Sequence, residues 1–427
     1  MRKVLILIAA VALLSTAAIP AGAADWEFFG NAIFRTYWES ADETSRNNHS
    51  DGTVDALGNR IGFSDDNLQW DRQITGSFGA TVQAGDIGGK INMRILEGSG
   101  SVNTTPGNFT EFYGTWDFGP GQLLVGQTLG PVNFFPSRQV GLDDFGLVGL
   151  GGLLSYFKPM IQSSWELGPG QLKVALLSPE TSAPQTNPFN TPPDWQHNST
   201  GGPAYTSAGA AFTDTDPTLP KIEASYQFNF LSHSLWFGGG YQSYESGYIQ
   251  TVGGASSEQD VSIDSYILGL GWLTNWGPFY FNGSLMYGQN NDQYQMTFQQ
   301  GDDSARYNPT LNEILDNQSF GFTLVAGWKF NDMLSIEGGY GYLVHTLDAT
   351  NYFNANNTTA VGTNDPEDDM SMAYLQLPIT LAPGMMIIPE ITWYDHGSNQ
   401  ISPRAGTGIE DDEGETWYYG AEWKISF

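Results

Sequence analysis

The chain has no cysteine, few cations and, beyond its first two dozen residues, no long apolar run. Without cysteine, no disulfide framework supports a small secreted fold. Charged residues make up only 15% of the 427, whereas soluble domains carry about a quarter. Lys and Arg number 16 against 46 Asp and Glu, a formal charge of −30, so there is no basic face for nucleic-acid phosphates. Nucleic acid is therefore excluded as a partner. The one apolar run, residues 4–14, follows Arg2 and Lys3 and precedes the small residues Ala21, Gly22, Ala23 and Ala24. This is the layout of a secretory signal peptide over residues 1–23, too short to span a bilayer as a helix. Cleavage after Ala23 leaves 427 − 23 = 404 residues, 24–427. An exported chain without a spanning helix is either soluble or crosses a membrane with strands.

Glycine, with 52 residues, and aromatic side chains, at 14%, are abundant. The end of the chain shows their use. Trp417, Tyr419, Ala421, Trp423, Ile425 and Phe427 alternate with Thr416, Tyr418, Gly420, Glu422, Lys424 and Ser426. The period is two, and the apolar face is aromatic at both ends. Its length of about ten residues is that of a tilted strand crossing hydrocarbon. The opposite face carries charges that a soluble core would not accept. A strand apolar outside, polar inside and aromatic at both rims belongs in a transmembrane β-barrel.

Segments of this kind recur sixteen times, at 26–39, 68–83, 90–97, 109–118, 122–129, 153–167, 171–178, 220–230, 235–245, 263–273, 279–288, 319–330, 334–347, 372–381, 386–394 and 416–427. Short turns at 231–234, 275–278, 331–333 and 382–384 alternate with long polar loops such as 178–219, 248–262, 289–318 and 348–371. The octapeptide WDFGPGQL that begins at Trp116 returns as WELGPGQL at Trp165, a repeated hairpin in which Pro fixes φ and Gly admits positive φ. The sequence thus predicts an all-β, transmembrane, antiparallel up-and-down barrel of sixteen strands, closed by pairing 26–39 with 416–427. By parity Arg72 faces lipid, which calls for a bulge or a covering partner.

In these features the chain resembles the sixteen-stranded general porins of Gram-negative outer membranes. The likeness rests on Trp423 to Phe427, on the Trp-containing Gly-Pro turns and on one long loop after the fifth strand. It implies a homotrimer in outer-membrane lipid and lipopolysaccharide, inserted by the barrel-assembly machinery that reads the terminal Phe427. Short turns would be periplasmic and long loops extracellular. Each subunit would hold a water-filled channel for passive diffusion of small hydrophilic solutes and ions. In that family the third extracellular loop folds inward as the constriction, here residues 130–152.

Asp143-Asp144-Phe145-Gly146 stands where the family often carries Pro-Glu-Phe-Gly-Gly. This matches Asp144 to the pore-facing acid and Gly146 to the bend, while Asp143 replaces the proline and Leu147 the second glycine. Burying Phe134, Phe135 and Phe145 against the inner wall would stabilise the inward path by about 1.5–3 kcal/mol each. The alternative is a loop lying over the mouth. Lumen parity places Arg35, Arg94, Lys158 and Lys221 on the wall opposite, with Arg138 in the loop itself. Each either faces the pore or pairs with a lumen acid such as Asp71, Glu223, Glu337, Glu390 or Glu422. Without Arg2 and Lys3 the balance is 14 − 46 = −32, and a cation preference is expected.

Clustered acids at Asp302 and Asp303, at Asp365, Glu367, Asp368 and Asp369, and at 410–413 are either solvated loops or ligands for Ca²⁺ or Mg²⁺. No EF-hand pattern accompanies them, and no other cofactor is expected. The five histidines lack zinc-ligand spacing, and neither a Gly-x-Ser-x-Gly elbow nor a Gly-Lys-Ser phosphate loop occurs. Asp395-His396, at the outer rim, is a plain polar cap or part of a barrel hydrolase. The chain is not expected to be an enzyme. Two further readings stay open: a substrate-specific channel, and a sheath for an electron-transfer partner.

Overall fold

The computed structural model describes residues 24–41, 66–70, 75–96, 108–140, 147–179, 181–184, 211–217, 219–252, 255–296, 301–308, 313–348, 365–401, 411–412 and 414–427. The expected signal peptide, Asp71, Arg72, Asp143, Asp144, Phe145 and Gly146 lie outside them.

Sixteen strands form one antiparallel sheet closed on itself. They are β1 (Asp25–Ala41), β2 (Asp66–Trp70 and Thr75–Ala84), β3 (Ile87–Leu96), β4 (Asn108–Asp117), β5 (Gly121–Leu129) and β6 (Phe157–Leu167). There follow β7 (Gly170–Leu177), β8 (Ala211–Pro217 and Lys221–Phe230), β9 (His233–Val252), β10 (Ala255–Trp276) and β11 (Phe279–Gln289). The wall ends with β12 (Asn317–Lys329), β13 (Ser335–Leu347), β14 (Glu367–Gln376 and Ile379–Ala382), β15 (Met385–Asp395) and β16 (Glu415–Ser426). Each pairs with its chain neighbours, and β1 pairs with β16 from Asn31↔Ser426 to Ala41↔Thr416. The turns at one end are tight and take positive φ at Gly85, Gly119, Gly168, Leu231, Gly277 and Gly384. The connections at the other end are mostly long.

Alternation assigns the faces. Trp417, Tyr419, Trp423, Ile425 and Phe427 of the last strand are exposed, as are Phe78, Phe112, Val125, Ile161, Phe237 and Leu268 around the barrel. Their inward neighbours Thr416, Tyr418 and Glu422 are buried. An outside this apolar, around an inside this polar, requires lipid on the outside. No helix among the described residues is long and apolar enough to cross a membrane.

The expected boundaries differ in five strands. β6 begins at Phe157 and not at 153, because Leu153 and Leu154 are fully buried in the preceding loop. β8 and β14 are each interrupted near prolines, which cannot donate to a ladder. The expected long loop 248–262 is a continuation of β9 and β10, which run for 20 and 22 residues and are joined by 253–254. Tyr248 and Val261 are buried against Tyr307, and Tyr244 and Ile263 against Ala305, so this ribbon keeps an apolar inward face beyond the bilayer.

The seam between β1 and β16 carries a buried ion pair: Arg35 Nε and Nη2 donate to Glu422 Oε2 at 2.9 and 2.8 Å. Both side chains are under 5% exposed. Removing one partner takes a counter-charge from a buried group, at a cost of about 3–5 kcal/mol. Glu422→Ala should therefore lower the denaturant midpoint of the refolded barrel by that order, and adding Arg35→Met should recover most of it. A single-variant loss below about 1 kcal/mol would mean the pair is solvated.

Candidate functional site

The connection between β5 and β6 enters the barrel. Val132, Leu147, Val148, Leu150, Leu153 and Leu154 are each at most 2% exposed, and Val132, Leu147, Leu150 and Leu153 pack with inward side chains of β9 to β16 in one apolar cluster. Phe134 stacks on Trp236 of β9, with ring centres 5.2 Å apart, and lies where a Cβ at Gly271 would sit. Phe135 is half-buried. Gly151 has φ +90°, and its missing side chain leaves room for the backbone of Phe322 in β12.

A loop inside a barrel carries peptide groups into a place with little water, and each needs a partner. The wall supplies them. Glu223 of β8 accepts from Val132 N–H at 3.2 Å, Glu337 of β13 from Arg138 N–H at 3.0 Å, and Glu390 of β15 from Val140 N–H at 3.1 Å. Ser284 and Thr323 donate to the carbonyls of Gly151 and Leu150, both at 2.6 Å. Gln139 is buried and ties the loop to Glu390 and Thr392.

The expected basic wall is divided by this packing. Arg35, Lys158 and Lys221 are at most 4% exposed and do not face open water. Arg35 is held by Glu422, Lys221 by Glu223 at 3.5 Å, and Lys158 lies in β6 opposite Thr128. Only Arg94, on β3, and Arg138, whose guanidinium stands over the Tyr280 ring, keep exposure. Sequence parity missed two other inward cations. Lys90 of β3 pairs with Glu111 of β4 at 2.6 Å and is partly exposed. Lys173 of β7 makes no ion pair among the described residues, and it lines a polar cavity of about 340 Å³ with Gln122, Gln162, Gln171, Gln227 and Asn133.

A second connection also turns inward. Between β11 and β12, the one-turn helix Asn291–Tyr294, with Met296, joins the same apolar cluster. The segment 301–308 then brings Asp302 and Asp303 to the mouth. Asp302 N–H donates to Asp368, Arg306 pairs with Asp302 at 3.3 Å, and Asp292 accepts from Ser304 and Gln293. The candidate metal ligands do not converge. Asp368 points inward, opposite His345, while Glu367 and Asp369 alternate away from it, and Asp369 accepts from Ser398. Asp365 lies just before the strand, and no group of three or more His or carboxylate residues among the described residues is placed to hold a metal. Asp395 and His396 close a turn: Asp395 accepts from Gly397 N–H, and His396 Nε2 lies 3.0 Å from Thr416 Oγ1.

Burial, with Asp292, Asp302 and Asp368 nearby, pushes the Asp303 carboxyl well above the usual carboxylate range. A raised folded pKa gives a contribution to stability that is full below the unfolded pKa and is lost as pH rises through the folded one. Asp303→Asn keeps the neutral form at every pH. It should therefore unfold at a higher temperature than the parent near about pH 8 and at the same temperature near about pH 3. Equal temperatures at both pH values would show that Asp303 is solvated.

No protein-family model matches the sequence, and no curated protein matches it. Among solved structures, the outer membrane channel DcaP of Acinetobacter baumannii is similar with a TM-score of 0.61 at 16% identity, over 95% of this chain and 98% of that one. The trimer form of OmpT, an outer membrane protein of Vibrio cholerae, gives 0.51 at 11% identity, over 95% and 100%. Salmonella typhi OmpF, in complex with daunomycin, gives 0.51 at 10% identity, over 94% and 97%. At these identities the likeness is one of fold: this chain has the closed sixteen-stranded barrel of outer-membrane porins and channels.

Proposed function

We propose that the chain is a porin of a Gram-negative outer membrane, exported with loss of residues 1–23, through which small hydrophilic solutes and ions diffuse passively. One observation carries this reading: the inward loop fills the β9–β16 side of the lumen and leaves the inner faces of β3 and β4 partly exposed, with the polar cavity of about 340 Å³ beside them. Amide, hydroxyl and ammonium groups can exchange with the hydration shell of a polar solute, whereas an apolar solute would meet only a desolvation cost. Residues 130–152 are then the constriction, with Asp143 and Asp144 outside the described residues and Arg138 the exposed charge among those described. The short-turn end is periplasmic and the loop end extracellular, in contact with lipid and lipopolysaccharide. A homotrimer is supported by the trimeric form of a structural neighbour.

A cation preference follows from the balance of −32 without residues 1–23, because much of the acid excess lies in the loops at the mouth. Exposed carboxylates attract cations over a Debye length of about 8 Å without any fixed ligand set, so Ca²⁺ needs no site of its own here. The decisive measurement is single-channel recording in a planar bilayer under a KCl gradient. The zero-current potential should take the cation-preferring sign and move further that way in Arg138→Glu. An anion-preferring sign would make the basic residues of the wall dominant. Gly151→Val has no room against Phe322 and is strained at φ +90°, so it should lift the loop off β12 and raise conductance. Unchanged conductance in a folded variant would place the narrow section elsewhere.

A further inference from the structure

Lys173 stands in the middle of β7 with a serine opposite it on either side, Ser164 of β6 and Ser225 of β8. Both neighbours are short, and Lys173 keeps part of its surface exposed in the polar cavity that all three line. The inward acids on these two strands beside it, Glu166 and Glu223, are already engaged. Glu223 is buried, pairs with Lys221 and accepts from Val132 N–H, from Ser155 Oγ and from the Tyr294 hydroxyl, while Lys221 Nζ also donates to the Tyr294 carbonyl. Glu166 is exposed and accepts from Gln171 at 2.7 Å. Lys173 itself makes neither a hydrogen bond nor an ion pair among the described residues. An ammonium on a low-dielectric wall without a counter-charge is a ready partner for a carboxylate brought by a solute.

The amides around it are committed on one side only. Gln122, Gln162, Gln171 and Gln227 donate to Asp117, Ser164, Glu166 and Ser234 at 2.7–3.3 Å, and no donor among the described residues reaches their carbonyl oxygens. The cavity therefore holds one unmatched cation among several unmatched acceptors, which call for O–H groups. We propose that it is a binding subsite for small hydroxylated carboxylates, in which Lys173 recognises the carboxylate and the glutamine oxygens accept from the hydroxyls. This rests on the porin reading and deepens it by naming a solute class. The acidic loops do not forbid such a solute, because they act over about 8 Å at physiological salt, whereas Lys173 acts at contact. A neutral polyol satisfies the amides and leaves Lys173 unmatched; acetate does the reverse.

The test is single-channel recording in KCl of the parent, Lys173→Gln and Lys173→Arg, with potassium gluconate, sorbitol or potassium acetate titrated on one side. Gluconate should interrupt the parent current saturably and at lower concentration than either of the others. Lys173→Gln should need about tenfold more gluconate, the loss expected for one charge-assisted hydrogen bond, and Lys173→Arg should restore most of the effect. If the parent conducts but gluconate acts no better than sorbitol or acetate, the inference falls and the porin reading stands. The same holds if Lys173→Gln responds to gluconate as the parent does. If the parent does not conduct, both fall. If Lys173→Gln fails to give a folded barrel, the ranking of the three solutes in the parent and in Lys173→Arg decides, and equal potencies would overturn the inference.

Discussion

Hydrocarbon offers a peptide group no hydrogen-bond partner, so a sheet that crosses it cannot have an edge. Everything else in this structure depends on how that condition is met. The first strand is paired along one side with β2 and along the other with β16. The seam is completed at the last residue, where Gly30 N–H donates to Phe427 carbonyl at 2.8 Å and Phe427 N–H returns a bond at 2.9 Å. Closing sixteen strands makes a cylinder too wide for its own side chains to fill. The interior must then be wet, or be filled by chain that re-enters from an end.

Here it is partly filled, and the filling explains the placement of acids and glycines on the wall. Re-entrant backbone brings N–H groups that must be satisfied, and carboxylates are strong acceptors in a site of low dielectric. Glu223, Glu337 and Glu390 stand where the first inward loop needs them. Glycines Gly271, Gly321 and Gly341 stand where loop atoms press against the strands. These three lumen acids therefore complement a loop before they complement a solute.

The barrel was legible in the sequence because a period of two with aromatic rims is imposed by lipid strand by strand, and Trp417 to Phe427 show it without ambiguity. The inward loop was legible through Phe134 and Phe135, apolar residues in a connection with no reason to carry them. The same argument applied to 289–318 finds Tyr294, Met296, Tyr307 and Ile314, yet the acids interleaved there read as solvent-facing. Asp302 and Asp292 are in fact held by Arg306, Ser304 and Gln293. Partners distant in sequence were not legible. Parity correctly turned Arg35 and Lys221 inward, but it has no information on whether water or a second loop meets them there. Lys173 went unnoticed for the converse reason, because its surroundings are amides and hydroxyls that carry no pattern.

Net charge is consequently a poor measure of the field a solute would feel. Arg35 with Glu422 and Lys221 with Glu223 are neutral as pairs and shielded from water, so they contribute little beyond a few ångströms. Among the described residues, the inward charges outside those two pairs include the Lys90–Glu111 pair, Arg94, Lys173 and Arg138 together with the acids Glu166 and Glu390, a set of both signs. In sequence, much of the negative excess lies in the long connections between strands. The two populations respond differently to salt: exposed carboxylates at the mouth are screened within about 8 Å at physiological ionic strength, whereas groups on a low-dielectric wall are screened less. On the porin reading, ions would be sorted by the vestibule when salt is low and increasingly by the wall when salt is high, even though no residue changes its charge.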